Sequence, residues 1–176
     1  MSFSMVEDGD NPDPVIAKLQ FRPAESLRDF MVVRRIRNSC REFMTREQGH
    51  ISYVDQLLFF VKYHILEKMR LMYIGEDKYY RPVAYGLISY DEHLMPWVSG
   101  GVLPSLRGKG YGSQLFKFLS SEWHMPVYLE VLESNKRALK LYTSLGFQEI
   151  DRKMTSRITK DKLAHTEVVI TMRKDK

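Results

Sequence analysis

Hydrophobic and polar positions along this chain switch repeatedly between a two-residue alternation and a helical period. Lys18 to Arg22 alternates briefly and is closed by Pro23, which predicts a short strand. From about Ser26 to Asn38 the spacing of Leu27, Phe30, Val33 and Ile36 predicts a first helix with those residues inward. Arg34, Arg35 and Arg37 then lie on or near its other face. Ser52-Tyr53-Val54-Asp55 has the form of a capping box. Val54, Leu57, Leu58, Val61 and Ile65 follow it at helical spacing, predicting a second helix to about Lys68 packed through that stripe. Phe59, Phe60 and Tyr63 fall outside the stripe and would widen the core face or line a pocket.

The second half is strand-rich. Leu71 to Gly75 and Pro82 to Tyr90 predict an antiparallel hairpin over the polar turn Gly75 to Lys78. A central strand follows over about Trp97 to Leu103, and then a glycine-rich turn. Tyr111, Leu115, Phe118 and Leu119 mark one side of the next helix, which ends near His124 before Pro126. Val127 to Val131 lies beyond that helix, so it is expected to pair in parallel with the central strand. Ser134 or Asn135 caps a helix carrying Ala138, Leu141, Tyr142 and Leu145, stopped at Gly146. Phe147 to Ser156 and His165 to Met172 predict a closing hairpin with Val168, Ile170 and Met172 inward. The sum is an α/β chain with a mixed sheet of about seven strands flanked by helices.

Composition narrows the class. At 176 residues, 44% apolar and 28% charged, one globular domain is expected over residues 16–176. Residues 1–15 hold Glu7, Asp8, Asp10 and Asp13 with two prolines and no base, and are expected to be a flexible acidic tail. The rest of the chain is therefore more basic than the overall +5 and suits an anionic ligand. No apolar run approaches the ~20 residues of a membrane span, and no basic leader precedes an apolar core, so neither membrane insertion nor a signal peptide is expected. Cys40 is the only cysteine, which excludes an internal disulfide and suits a reducing cytoplasm. Five scattered histidines without an H-x-x-x-H pair give no expectation of a metal.

The candidate chemistry starts at the glycine turn, Arg107-Gly108-Lys109-Gly110-Tyr111-Gly112. Glycines admit backbone conformations closed to other residues and let a ligand approach closely. The following helix aims unpaired N–H groups and the positive end of its dipole at the turn, a site for a phosphate-bearing anion. The spacing matches neither G-x-x-x-x-G-K-[ST] nor G-x-G-x-x-G. It does fit R-x-x-G-x-G at Arg107, Gly110 and Gly112, which resembles the coenzyme A pyrophosphate loop of the GNAT N-acetyltransferase superfamily. One helix and one strand later, N-x-x-A-x-x-x-Y-x-x-x-G-F at Asn135, Ala138, Tyr142, Gly146 and Phe147 resembles the other signature of that family. The resemblance covers about residues 18–172.

That resemblance implies the GNAT fold, with the strands from Trp97 and Val127 splayed to admit the pantetheine arm of acetyl-CoA. It implies main-chain contacts to the pyrophosphate from Arg107, Gly108, Lys109, Gly110, Tyr111, Gly112 and Ser113. Main-chain groups near Val102 and Leu103 would pair with the pantetheine and polarise the thioester carbonyl. Asn135, with Ala138, would support the cofactor or simply start the helix. Tyr142 matches the family tyrosine near the sulfur and would protonate the leaving thiolate, or else only pack. Some relatives hold a glutamate near the start of the central strand, where this chain has Trp97. The base is therefore expected at Glu130 or Glu92, or in a water relay.

The acceptor is less constrained. Arg34, Arg37, Asn38, Arg41 and Trp97 would suit an anionic or planar-ringed amine, though a solvated arginine face fits the same pattern. The run from Arg34 to Met44, with Ile51-Ser52 and Gln56 downstream, resembles the GNAT branch that acetylates nucleotide-linked amino sugars and protein N-terminal amines. The expected function is acetyl transfer to a primary amine of a small molecule, such as an amino sugar or nucleotide conjugate, by direct attack in a ternary complex. The alternatives are an acyltransferase acting on protein or on modified nucleic acid bases, and a non-catalytic CoA-binding domain. Nucleic acid binding is not favoured, because no nucleic-acid module is evident. A homodimer is allowed, being common in the family.

Overall fold

The computed structural model describes residues 17–45, 49–66, 70–121, 123–158 and 164–175. The expected acidic tail lies outside them, as do the last residues of the second helix and the tip of the closing hairpin. In chain order the elements are β1 (Gln20–Pro23), α1 (Leu27–Ser39), α2 (Tyr53–Phe59), β2 (Arg70–Glu76), β3 (Pro82–Tyr90), β4 (Pro96–Val102), α3 (Tyr111–Ser121), β5 (Val127–Leu132), α4 (Lys136–Ser144), β6 (Gln148–Ile158) and β7 (Ala164–Lys174). The strands form one seven-stranded sheet in the order β1-β2-β3-β4-β5-β7-β6. Among the described residues only the β4–β5 junction is parallel, because α3 carries the chain back across the sheet between them.

Alternation along the strands sorts side chains into two layers. On one face Val98, Leu129, Val131 and Ile170 pack with Leu115, Phe116 and Leu119 of α3 and Tyr142 of α4. On the other face Ile74 and Tyr85 pack with Phe30, Val33 and Ile36 of α1. Gly100 is required by close approach. A Cβ there would stand 2.5 Å from the Tyr85 carbonyl and 3.0 Å from Leu115 of α3.

Both helices on the second face begin with a reciprocal cap. Ser26 caps α1 with Asp29, and Ser52 caps α2 with Asp55. Arg22 ties β1 to this start, donating from Nη2 to Asp29 at 2.8 Å and from Nε to Glu76 at 2.9 Å.

The expected inner face of α2 is corrected by the structure. Tyr53, Val54, Leu57, Leu58 and Val61 are exposed, Val54 at 64%, whereas Gln56 is buried at 3%. The helix also stops at Phe59 and continues over Phe60–Leu66 as a π-helix, not as a uniform α-helix. The aromatic residues decide the orientation. Phe60 lies edge-on to Phe30 with centroids 4.9 Å apart, and Phe59 lies 6.2 Å from Phe30 and 4.7 Å from Tyr63. Aromatic rings bury more apolar area than the aliphatic stripe and win the interior. Among the described residues, no helix is long and apolar enough to cross a membrane.

Candidate active site

Register lines up the floor of a cavity beneath α1 and α2. Arg70 of β2 stands opposite Ser89 of β3, Ser89 opposite Trp97 of β4, and Trp97 opposite Tyr128 of β5. Two residues further along the strands, Met72, Leu87 and Ser99 form the next rung on the same face, with Glu130 on β5. The cavity has a volume of about 360 Å³, and Arg37, Met44 and Gln56 contribute to its roof and wall.

The seam between β4 and β5 is open at one end. The two strands pair in register at Trp97 and Tyr128. The Leu103 N–H donates to the Val83 carbonyl at 3.0 Å. Antiparallel alternation then turns the main-chain groups of Ser99 and Gly101 toward β3, and those of Val98, Gly100 and Val102 toward β5. The expectation for the Leu103 N–H is thereby corrected, since that donor is already used. Val102 faces the seam, and its carbonyl accepts from the Cys40 thiol at 3.3 Å.

Beyond Val102 a 3₁₀ turn over Pro104–Leu106 leads into the glycine turn. The Arg107 N–H is spent on the Pro104 carbonyl, and its guanidinium turns toward Glu42 at 3.2 Å and Cys40 at 3.5 Å, over the Phe43 ring. Gly108 has φ +89° and Gly110 φ +74°, left-handed values that favour glycine. The first i→i−4 bond of α3 runs from Gln114 to the Gly110 carbonyl. Tyr111, Gly112 and Ser113 therefore present N–H groups without an intrahelical acceptor. Lys109 sits within the turn. Arg137 of α4 adds a charge that sequence reasoning missed: its Nη2 lies 3.1 Å from where a Gly108 Cβ would stand. Its place after the helix cap Asn135 was the available signal. This cradle fits a diphosphate-bearing ligand, combining left-handed glycines, a helix N-terminus and a nearby guanidinium.

Asn135 is observed as a cap, its Oδ1 accepting from the Ala138 N–H at 3.2 Å. Tyr142 is 9% exposed, with its ring 4.7 Å from Phe116 and 6.0 Å from Phe147. Burial, reinforced by the nearby Tyr85 phenol, pushes the Tyr142 hydroxyl well above its usual value. Burial, with Cys40 alongside and Arg37 opposing, does the same for Tyr85. Both phenols stay protonated through neutral pH, the state a proton donor needs.

Glu130 faces the cavity with a side chain only 6% exposed. It accepts from the Lys153 ammonium at 2.8 Å and the Thr45 hydroxyl at 3.2 Å. Glu92 is not brought to this place. It lies in the turn between β3 and β4, its side chain 85% exposed, 3.6 Å from His93. That turn is at the closed end of the seam, so Glu92 is withdrawn as a candidate base.

The arginine group also divides. Arg34 donates from Nε to the Ile51 carbonyl at 2.8 Å and lies over the Tyr53 ring. Asn38 brackets Ile51 with two 3.0 Å hydrogen bonds. These two side chains hold the loop into α2 and are corrected from ligand contacts to loop clamps. Arg37 also donates to that loop, at Gly49, and lines the cavity. Trp97 lines it too, with Nε1 donating to Asp91 at 3.0 Å. Arg41 stands in the short turn after α1, away from the cavity lining. Gln56, quoted from the sequence only within the branch resemblance, lines the cavity, as does Arg70, which was not singled out.

Comparison with known proteins follows the same lines. Residues 69–149 match the family model described as an acetyltransferase (GNAT) domain. No curated protein matches the chain by sequence. Among solved structures, an N-acetyltransferase from Staphylococcus aureus Mu50 superposes with a TM-score of 0.73 at 15% identity, over 90% of this chain and 99% of that one. A GNAT superfamily phosphinothricin acetyltransferase from Sinorhizobium meliloti, in complex with AcCoA, gives 0.72 at 16% identity, over 89% and 87%. Spermidine N-acetyltransferase from Vibrio cholerae, in complex with CoA and spermine, gives 0.71 at 18% identity, over 88% and 94%. These likenesses are of fold. Residues 69–149, which hold both signature segments, are thus similar to the GNAT acetyltransferase domain, and the seven-stranded sheet has the fold of these neighbours.

Proposed function

We propose that the protein transfers an acetyl group from acetyl-CoA to a primary amine of a small molecule by direct attack in a ternary complex. One observation carries the reading. The β4–β5 seam opens between the glycine cradle at α3 and the cavity above Ser99 and Glu130. A ligand with a diphosphate at the cradle can pass its arm along that seam and deliver an acyl group to the cavity.

The residues divide the work. The main chain of Gly108 to Ser113, with Arg137 and Lys109 nearby, holds the diphosphate. The Val102 N–H faces the seam and polarises the thioester carbonyl. Glu130 accepts a proton from the incoming ammonium, directly or through water, so that a neutral amine attacks. The amine nitrogen bonds to the acetyl carbon, the carbon–sulfur bond breaks, and the amine gives up its second proton to water, from which the Tyr142 phenol is reprotonated after it donates. Tyr142 supplies a proton to the departing sulfur. The products are an N-acetyl amine and free CoA thiol.

A cavity of about 360 Å³ sits at the lower end of the range for small-molecule sites. It favours an acceptor smaller than a nucleotide conjugate. Incubation with carbonyl-labelled acetyl-CoA and a cell extract tests the reading. Label in the small-molecule amine pool supports it, and label confined to protein or nucleic acid contradicts it.

A further inference from the structure

The acceptor wall of the cavity holds two groups that the transfer chemistry does not use. Gln56 is the one buried residue of α2, and its Nε2 has no hydrogen-bond partner. A buried amide N–H left unsatisfied is destabilising, so its place at a cavity wall calls for an acceptor from the ligand. Phe59, one turn along the same helix, lies under the Arg70 guanidinium at 5.3 Å, and Tyr63 lies 4.0 Å from it. Among the described residues Arg70 has no carboxylate partner. Aromatic contact uses the face of a guanidinium and leaves its in-plane donors for an anion. Arg70 and Gln56 thus bring a positive fork and a neutral N–H donor to one side of the cavity. The cavity's acidic group, Glu130, is paired with Lys153.

Resting on the acetyltransferase reading, we infer that the acceptor is an amine that also bears a carboxylate, of the amino acid class. Its carboxylate docks on Arg70 and Gln56, and its amine points along the sheet floor toward Ser99 and Glu130. Arg70 stands on β2 and Glu130 on β5, three strand spacings apart, or ~14 Å between backbones. The two long side chains close much of that gap, which leaves room for a small molecule spanning them. One guanidinium and one amide N–H match the single charge and two planar oxygens of a carboxylate. A polyamine would meet Arg70 with like charge.

The test pairs free acids with their carboxamides. Common α-amino acids and a series of ω-amino acids, each beside its amide, are compared with spermidine in two readouts. One is the initial rate of CoA thiol release from acetyl-CoA. The other is calorimetric binding to the CoA-loaded protein. The expected result is a kcat/KM for the best acid at least ~10-fold above its amide. Arg70→Gln and Gln56→Leu should close that gap through KM while sparing kcat, and Arg70→Lys should restore part of it. Circular dichroism of each variant separates loss of recognition from loss of fold. Equal use of acid and amide, or preference for spermidine, overturns the inference and leaves acetyl transfer standing. Tighter binding of acids without transfer to any amine keeps the carboxylate site and overturns the acetyltransferase reading. Neither binding nor transfer overturns both.

Discussion

Trp97 stacks on Tyr128 with ring centroids 5.3 Å apart and planes 24° from parallel, and the same pair is the point at which β4 and β5 meet in parallel register. Asp91 fixes the indole through its Nε1 at 3.0 Å. The stack pins one end of the seam whose other end opens toward the glycine cradle. Trp97→Ala should lower stability by about 2–4 kcal/mol and weaken acetyl-CoA binding about tenfold. Trp97→Phe should retain most of both, because a ring still meets Tyr128. Urea midpoints and calorimetric titration with acetyl-CoA check this together.

Tyr142 of α4 is buried in the opposite layer. Tyr142→Phe keeps the ring against Phe116 and Phe147 and removes only the hydroxyl. Acetyl-CoA affinity should stay within about twofold, while kcat falls about 100-fold as a proton donor is lost. In the wild type, the folded phenol is raised above its unfolded value of 10.0. The folded state therefore binds more protons above that value. Stability from this tyrosine is complete below pH 10 and declines as pH rises further. Tyr85 acts in the same direction. The Tyr142→Phe variant should lose part of that alkaline decline, which denaturation across pH 8–12 would reveal. An unchanged kcat in the variant would remove the donor role.

The sequence carried the sheet further than the site. Each strand was visible as an alternating run, and the parallel β4–β5 junction followed from the helix between them. The glycine turn was legible because φ values of +89° and +74° leave glycine as the favoured residue. Helix α2 was not, because two stripes competed. Val54, Leu57 and Leu58 had the clean helical spacing, but Phe59 and Phe60 meet Phe30, and that contact depends on where α1 lies. Rotating the helix this way buried Gln56 and made it part of the cavity. Arg34 and Asn38 were misread for a similar reason. Their partner, the Ile51 backbone, is 17 and 13 residues away in sequence and leaves no local signal. Arg137 meets Gly108 only because α3 and α4 pack side by side.

The start of α1 carries a pH-dependent contribution. Burial pushes the Asp29 carboxyl up, but hydrogen bonds from the Arg22 guanidinium and from Ser26 overcome it and hold the group well below the usual carboxylate range. A depressed carboxylate stabilises the fold above its unfolded value, near ~3.9, and loses that contribution as pH falls through the folded value. Asp29→Asn should cost about 1–2 kcal/mol at pH 7. The gap to wild type should shrink steadily below about pH 4. Chemical denaturation at several pH values measures it.

Glu130 can be removed without stranding its partner, because the Lys153 side chain is 54% exposed. Glu130→Gln should therefore fold normally and bind acetyl-CoA as the wild type does. Its kcat should fall about 10- to 100-fold at neutral pH, with recovery toward alkaline pH, where the amine loses its proton unaided. A pH–rate profile identical in shape and height to the wild type would assign the proton to another acceptor.

The most direct measurement is CoA thiol release from acetyl-CoA by the purified wild-type protein, with and without a primary amine, followed by mass analysis of the amine. The account predicts release that depends on the amine, with one N-acetyl product per thiol. Release at the same rate without amine, or none with any amine while acetyl-CoA still binds, would contradict it.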